Sequence, residues 1–389
     1  MTENELSYFF PYKVDKKFNF RHFARNQNDF IRQFIPNYDG TNVHDFIENK
    51  SSLNEQQKYD LLYLYEDFRN WVWWYQNGKN IFSFSKDLLT ILEKTDVSEI
   101  TPDFFHLPYD IFYVSLKPLN LKISKYSDEV IEGVYIDHNY WNPSGEHPEG
   151  YCDLSFRFVG DFKEIFLNFI PNVNSRLSIN TKKEEVQFIE SPLGNFWTVW
   201  FWFEKEEGRE NVKQAVDYFL EGLREEVFPK DNNTKVTDYE LDFYNSTVEL
   251  LTNTINLVIN CMLYLSQPQE KTDIEEKYPT NLPHNFDKKL KFAKTVKEQK
   301  KLDGKIEQLG FTKIKYVGQS FKHNNQYLFD DTNHNTQPHW RRGHWRNQKY
   351  GEKLTLKKAI WIMPTIVNKE KGQPKKGHVY DINEKTTNP

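Results

Sequence analysis

The run Phe196-Trp197-Thr198-Val199-Trp200-Phe201-Trp202-Phe203 constrains this chain more than any other stretch. On a pleated backbone alternate side chains take opposite faces, and here both faces are apolar or aromatic. Such a run predicts a central strand covered on both sides. The spacing of Val212, Ala215, Val216, Phe219, Leu220 and Leu223 predicts an amphipathic helix over 212–227 as one of the covers. Shorter runs rich in β-branched and aromatic residues, at 111–116, 131–136, 152–158 and 165–169, predict further strands. Tyr135 and Asp137 close one of them, where polar side chains either line a cleft or merely end the strand. His106 and His138, beside strands, read as ordinary loop or core histidines.

The N-terminal region and the stretch after residue 230 are more helical. A short helix is predicted over 28–35. Ser52 and Glu55 have the spacing of a capping box, and Leu61, Leu64, Tyr65, Phe68, Trp71 and Val72 recur behind them at helical intervals, with Gly78 as the stop. Trp71, Trp73 and Trp74 are more than one helical face can hide. Either that helix is buried on two sides or one ring belongs to a binding surface. A second helix is predicted over 86–93. Leu250 to Leu265 is the longest apolar stretch, but Asn253, Asn256 and Asn260 make it a buried core helix rather than a membrane span. A basic helix follows over 288–308 and a strand over 313–321. The fold class is α+β, in four regions: helical 1–98, α+β 99–230, helical with a linker and basic helix 231–310, and a small basic β-rich region 311–389.

Composition limits the chemistry. Aromatic residues make up 16 % of the chain, enough for packed cores and against disorder. Two cysteines, Cys152 and Cys261, cannot form a disulfide framework, and the polar N-terminus carries no secretory signal, so a reduced cytoplasm is the expected compartment. The net charge of −5 hides a split: residues 285–377 hold 22 Lys/Arg against 8 Asp/Glu, or +14, which leaves −19 for the remainder. Such asymmetry points to a polyanionic partner or to a solvated basic face. No Gly-rich phosphate loop, nucleophile elbow, metalloprotease helix or paired-carboxylate motif is present.

Within the basic region, His339-Trp340-Arg341-Arg342-Gly343-His344-Trp345-Arg346 packs two histidines, three arginines and two tryptophans into eight residues. The strand-like Ala359-Ile360-Trp361-Ile362-Met363-Pro364 backs it. If the octet is extended, His339, Arg341 and Trp345 share one side, and Trp340, Arg342, His344 and Arg346 the other. A bulge at Gly343 would bring the histidines together. Three readings follow. The octet binds phosphates and bases, with arginine forks on phosphate and indoles stacked on unpaired bases. It is a metal-independent ribonuclease, His339 and His344 exchanging protons while Arg342 stabilises charge on phosphorus. Or it is structural, its rings in a core. No carboxylate or thiol stands at ligand spacing from the histidines, so neither a metal nor another cofactor is expected.

The pattern Pro338-His339-Trp340-Arg341-Arg342-Gly343-His344-Trp345, then Tyr350-Gly351, then Trp361-Ile362-Met363-Pro364-Thr365-Ile366-Val367-Asn368 resembles the C-terminal hallmark of a family carried by phages, plasmids and other mobile elements. That family includes type V-A anti-CRISPR proteins. Weaker echoes stand upstream in the same order: Leu107-Pro108 before Ile111 to Val114, Gly133 to Asp137, and the helix from Leu257 to Ser266-Gln267-Pro268. The resemblance implies a cytoplasmic, non-enzymatic regulator in a bacterial host. It would meet a nascent polypeptide, a ribosome or an mRNA and lower production of a host defence protein. Which residues touch the partner does not follow from the resemblance; from the chemistry of the motif, His339, Trp340, Arg341, Arg342, His344, Trp345, Arg346, Trp361 and Asn368 are the expected contact residues. A ribonuclease, or a plain RNA-binding protein, remains the alternative.

Overall fold

The computed structural model describes residues 8–122, 125–126, 128–138, 151–160, 196–228, 236–279, 282–321, 339–341, 343–363 and 365–367. Three short helices, α1 (Phe10–Phe18), α2 (Phe20–Phe23) and α3 (Gln27–Arg32), lead to the long α4 (Glu55–Gln76). The box that starts α4 lies two residues later than the serine suggests. Asn54 accepts from the Gln57 amide, and the Gln57 side chain reaches back to Asn54. The amide oxygen of Asn54 does the work expected of Ser52. Beyond the end of the helix, Gly78 takes a left-handed φ of +96° as anticipated. The tryptophan triplet divides between core and surface. Trp71 and Trp74 are buried, their indole N–H groups donating to the carbonyls of Pro11 and Asn80 at 2.8 and 3.0 Å, while Trp73 stays 36 % exposed.

The sheet is built from β1 (Ile81–Phe84), β3 (Ile111–Ser115), β4 (Leu121–Lys122), β5 (Val130–His138), β6 (Tyr151–Gly160), β7 (Phe196–Glu204), β8 (Ile274–Lys277) and β9 (Ile314–Val317). Its order is β7-β6-β5-β3-β1-β9-β8, with β4 alongside β5. β1 runs parallel to both β3 and β9, and the other pairs are antiparallel. Between these strands come α5 (Lys86–Glu93), the two-residue β2 (Thr95–Asp96), α6 (Val212–Val227), α7 (Asp238–Leu265), α8 (Phe286–Phe292) and α9 (Val296–Gln308). The molecule is therefore α+β. One sheet face packs on α5, α6 and α7 through Phe82, Phe112, Val134, Phe156 and Phe201. The other packs on α1–α4 through Ile81, Tyr113, Tyr135 and Ile314.

The aromatic strand is not central: β7 stands at one end of the described sheet order, hydrogen-bonded to β6. Val199, Phe201 and Phe203 enter the α6/α7 core, whereas Trp200 on the opposite face is 42 % exposed. An indole tolerates that half-wet position because its ring is amphipathic. The middle of the order is β3, with β1 beside it, and every residue of both strands is buried. α7 begins well before the apolar stretch, at a Thr237–Glu240 capping box. Its length and apolarity would suit a membrane span, yet most of its apolar window is buried in the core. The basic helix is two helices, because Thr295 caps α9 with Glu298 and breaks the run. The strand expected at 165–169 lies outside the described residues.

Candidate functional site

Four strands carry the hallmark: β10 (His339–Arg341), β11 (Gly343–Tyr350), β12 (Leu356–Ile362) and β13 (Thr365–Val367). β10 pairs antiparallel with β13 and β11 with β12. The partners His339↔Val367, His344↔Ile362 and Tyr350↔Leu356 share one register, so a single long hairpin carries both halves of the motif. On either side of Arg342 and Pro364, which lie outside the described residues, the two strands keep equal residue counts, so the described register carries no inserted residue of the kind expected to draw His339 and His344 together. Arg342 and Asn368 lie outside the described residues. His339, Trp340 and Arg341 are placed by their backbone in β10.

The root of the hairpin is clamped to the body. Gly343 and His344 pair in parallel with Thr95 and Asp96 of β2. Trp345, 7 % exposed, stacks on its cross-strand partner Trp361 with centroids 6.0 Å apart and planes 19° from parallel. The Trp345 N–H donates to Asn260 Oδ1 of α7 at 2.7 Å, and the Trp361 N–H to Thr95 Oγ1 at 3.2 Å. Tyr264 of α7 meets the Trp361 ring edge-on. Aromatic pairs of this kind add roughly 0.5–1.5 kcal/mol to the area they bury. The two indoles are thus supports that aim the hairpin. His344 is half-buried and Arg346 exposed.

Beyond Trp345 the hairpin leaves the core and becomes basic. Arg346, Lys349, Lys353, Lys357 and Lys358 are all exposed, against one carboxylate in the hairpin, Glu352. Among the described residues none of the five is in an ion pair. Lys349 stands directly across from Lys357, a like-charge pairing that weakens a ladder unless an anion relieves it. Tyr350, Leu354 and Leu356 are exposed beside them, and the Lys358 ammonium lies 4.8 Å from the Tyr350 ring centre. Only the first of these residues, Arg346, belonged to the expected contact set. The lysines were visible as charge in the sequence but not as one projecting ribbon.

Burial pushes the Cys152 thiol up to about 12 and the Cys261 thiol further still, so neither is a thiolate near neutrality. No cluster of three or more metal-ligating side chains occurs among the described residues.

Comparison with known proteins agrees with the family resemblance. Residues 82–369 match the model of the AcrVA2-like, anti-CRISPR type V subtype A2 family. No curated protein matches the sequence. The crystal structure of AcrVA2 is similar over 92 % of this chain and 97 % of its own length, at 13 % identity and a TM-score of 0.42.

Proposed function

The chain belongs to the anti-CRISPR type V subtype A2 family, and from that premise we propose that it acts in the bacterial cytoplasm on the translating ribosome, lowering production of a CRISPR effector or similar defence protein. In this reading the protein recognises a nascent polypeptide and stays with the ribosome–mRNA complex through its basic hairpin. The observation that supports it is the hairpin itself: five exposed cations without ion pairs among the described residues, beside an exposed tyrosine, on a rigid root. Cations on a projecting ribbon bind phosphate backbones without needing a base-specific pocket, and an exposed ring can stack on an unpaired base. The hairpin needs no chemistry of its own. Loss of the message would follow from recruiting a host nuclease.

The test is sedimentation of the tagged protein through a sucrose gradient of lysate from translating bacteria, with and without nuclease treatment. Co-migration with polysomes that collapses to monosomes on treatment supports the reading. A protein that stays at the top of the gradient in both conditions removes it. Cleavage of RNA by the purified protein, lost in His344→Ala, would instead favour a ribonuclease.

A further inference from the structure

A second surface lies away from the hairpin, where α4 meets polar residues of β5, β6 and β7. A cleft of about 500 Å³ opens there, within the roughly 300–1,000 Å³ range of ligand pockets. Its two ends differ in charge. At one end Glu66 is saturated with cations: His44 Nε2 at 2.9 Å, Arg69 at 3.1 Å and Arg157 at 4.0 Å, with Arg157 Nη1 also donating to the Glu66 carbonyl at 3.0 Å. At the other end Asp137 is 5 % exposed and its Oδ1 has no hydrogen-bond partner. Burial, then Asp153 and Asp110, work against the charge on Asp137, opposed by a hydrogen bond from the Trp73 side chain and by the Arg157 guanidinium. Thr198 Oγ1 and Asn70 Nδ2, both on the cleft wall, are likewise buried without partners. Two half-exposed indoles, Trp73 from α4 and Trp200 from β7, complete the lining.

Each feature asks for the same occupant. A buried acceptor in negative potential is stabilised by a cation. Indole faces attract cations and stack best on a planar guanidinium. One lone amide donor and one lone hydroxyl match the C=O and N–H of a peptide unit. An anion would meet Asp137 and Glu66, and the cations near Glu66 are already engaged. We propose that this cleft binds a positively charged peptide side chain, an arginine in preference to a lysine, seated between Trp73 and Trp200 against the Asp137 carboxylate. This site is separate from the basic hairpin and does not depend on RNA.

The experiment titrates the full chain at pH 9, where Asp137 is ionised while arginine and lysine keep their charge, with the capped pentapeptide amide Ala-Ala-Arg-Ala-Ala and with counterparts carrying lysine or citrulline, following tryptophan fluorescence and heat. The arginine peptide is expected to bind at least tenfold more tightly than the citrulline one, with lysine between them. Asp137→Asn is expected to abolish that preference, and Trp200→Ala, a surface change that cannot unfold the core, to weaken arginine binding about tenfold. A Lys349→Gln, Lys357→Gln variant of the hairpin should bind the peptide unchanged. Equal titration by the arginine and citrulline peptides, or binding insensitive to both Asp137→Asn and Trp200→Ala, overturns the proposal. Polysome association can fail without touching this result, and the reverse holds too.

Discussion

Asn260, wholly buried in α7, accepts the Trp345 indole N–H at 2.7 Å and gives its own amide protons to the carbonyls of Thr95 and Asn256 at 2.9 and 3.0 Å. One side chain thereby fastens the C-terminal hairpin, β2 and α7 with all its polar capacity facing inward. A buried network so fully satisfied fixes one arrangement of the elements it joins.

Removing either partner should therefore loosen the hairpin root. Trp345→Ala is expected to destabilise the protein by about 3–5 kcal/mol, the range for a truncated core aromatic. Asn260→Leu should cost about 1–3 kcal/mol for each group left unpaired. Chemical denaturation gives both values. The double variant should be less destabilised than the sum of the singles, because each single already breaks the shared bond.

The hairpin tip should behave in the opposite way. Replacing Lys349, Lys353, Lys357 and Lys358 by glutamine is expected to leave the melting temperature within a degree or two, or to raise it slightly as the Lys349–Lys357 repulsion goes. RNA or ribosome association should weaken, and its slope of log affinity against log salt should shrink by about 0.7–0.9 for each phosphate that the protein no longer neutralises. Filter binding across a salt series measures this directly.

The cleft should also make stability depend on pH. Burial, then Asp153 and Asp110, push Asp137 up to about 8, and burial pushes Asp67 up to about 6, from 3.8 for each when unperturbed. Between pH 4 and 8 the folded chain thus holds more protons than the unfolded one, so these groups make the unfolding free energy fall as pH rises. Asp137→Asn should recover on the order of 1–3 kcal/mol at pH 8 and almost nothing at pH 4. Urea melts at the two pH values decide it.

Gly133 offers a purely steric test. A Cβ there would run into Tyr113 Oη and the Val114 carbonyl oxygen, both held in the middle of the sheet. The ladder between β5 and β6 already shifts register between Ile131 and Gly133, so the backbone has no slack to yield. Gly133→Ala is expected to destabilise by about 2–4 kcal/mol, measured by thermal unfolding, from overpacking and strain.

Much of this architecture was legible in the sequence. Lys86–Glu93 and Val212–Val227 form as helices where their apolar spacing predicts them, since each needs only one buried stripe. β7 was misplaced because an indole counts as apolar in a pattern while half of Trp200 stays in water. β1 was missed because Ile81–Phe84 is four residues long, and what makes it an inner strand is pairing with β3 and β9, remote in sequence. At the hallmark, the sequence singles out the octet and Trp361. It does not tell that Trp345 points into α7, nor that the cations beyond it form one ribbon. Asp137 and Trp73 each stood out, but no spacing rule joins a helix residue to a strand residue some sixty positions later.

The position of β1 bears on how the protein comes into being. Its neighbour β9 is synthesised long after it, so one edge of this inner strand waits, unpaired and apolar, while most of the chain is still to emerge. Sheets closed by such distant partners fold late and slowly, and an unpaired strand edge is prone to association. A chain cut short before Ile314 would lack the closing strand and the whole hairpin together. Premature termination should therefore yield not a weaker regulator but an insoluble one.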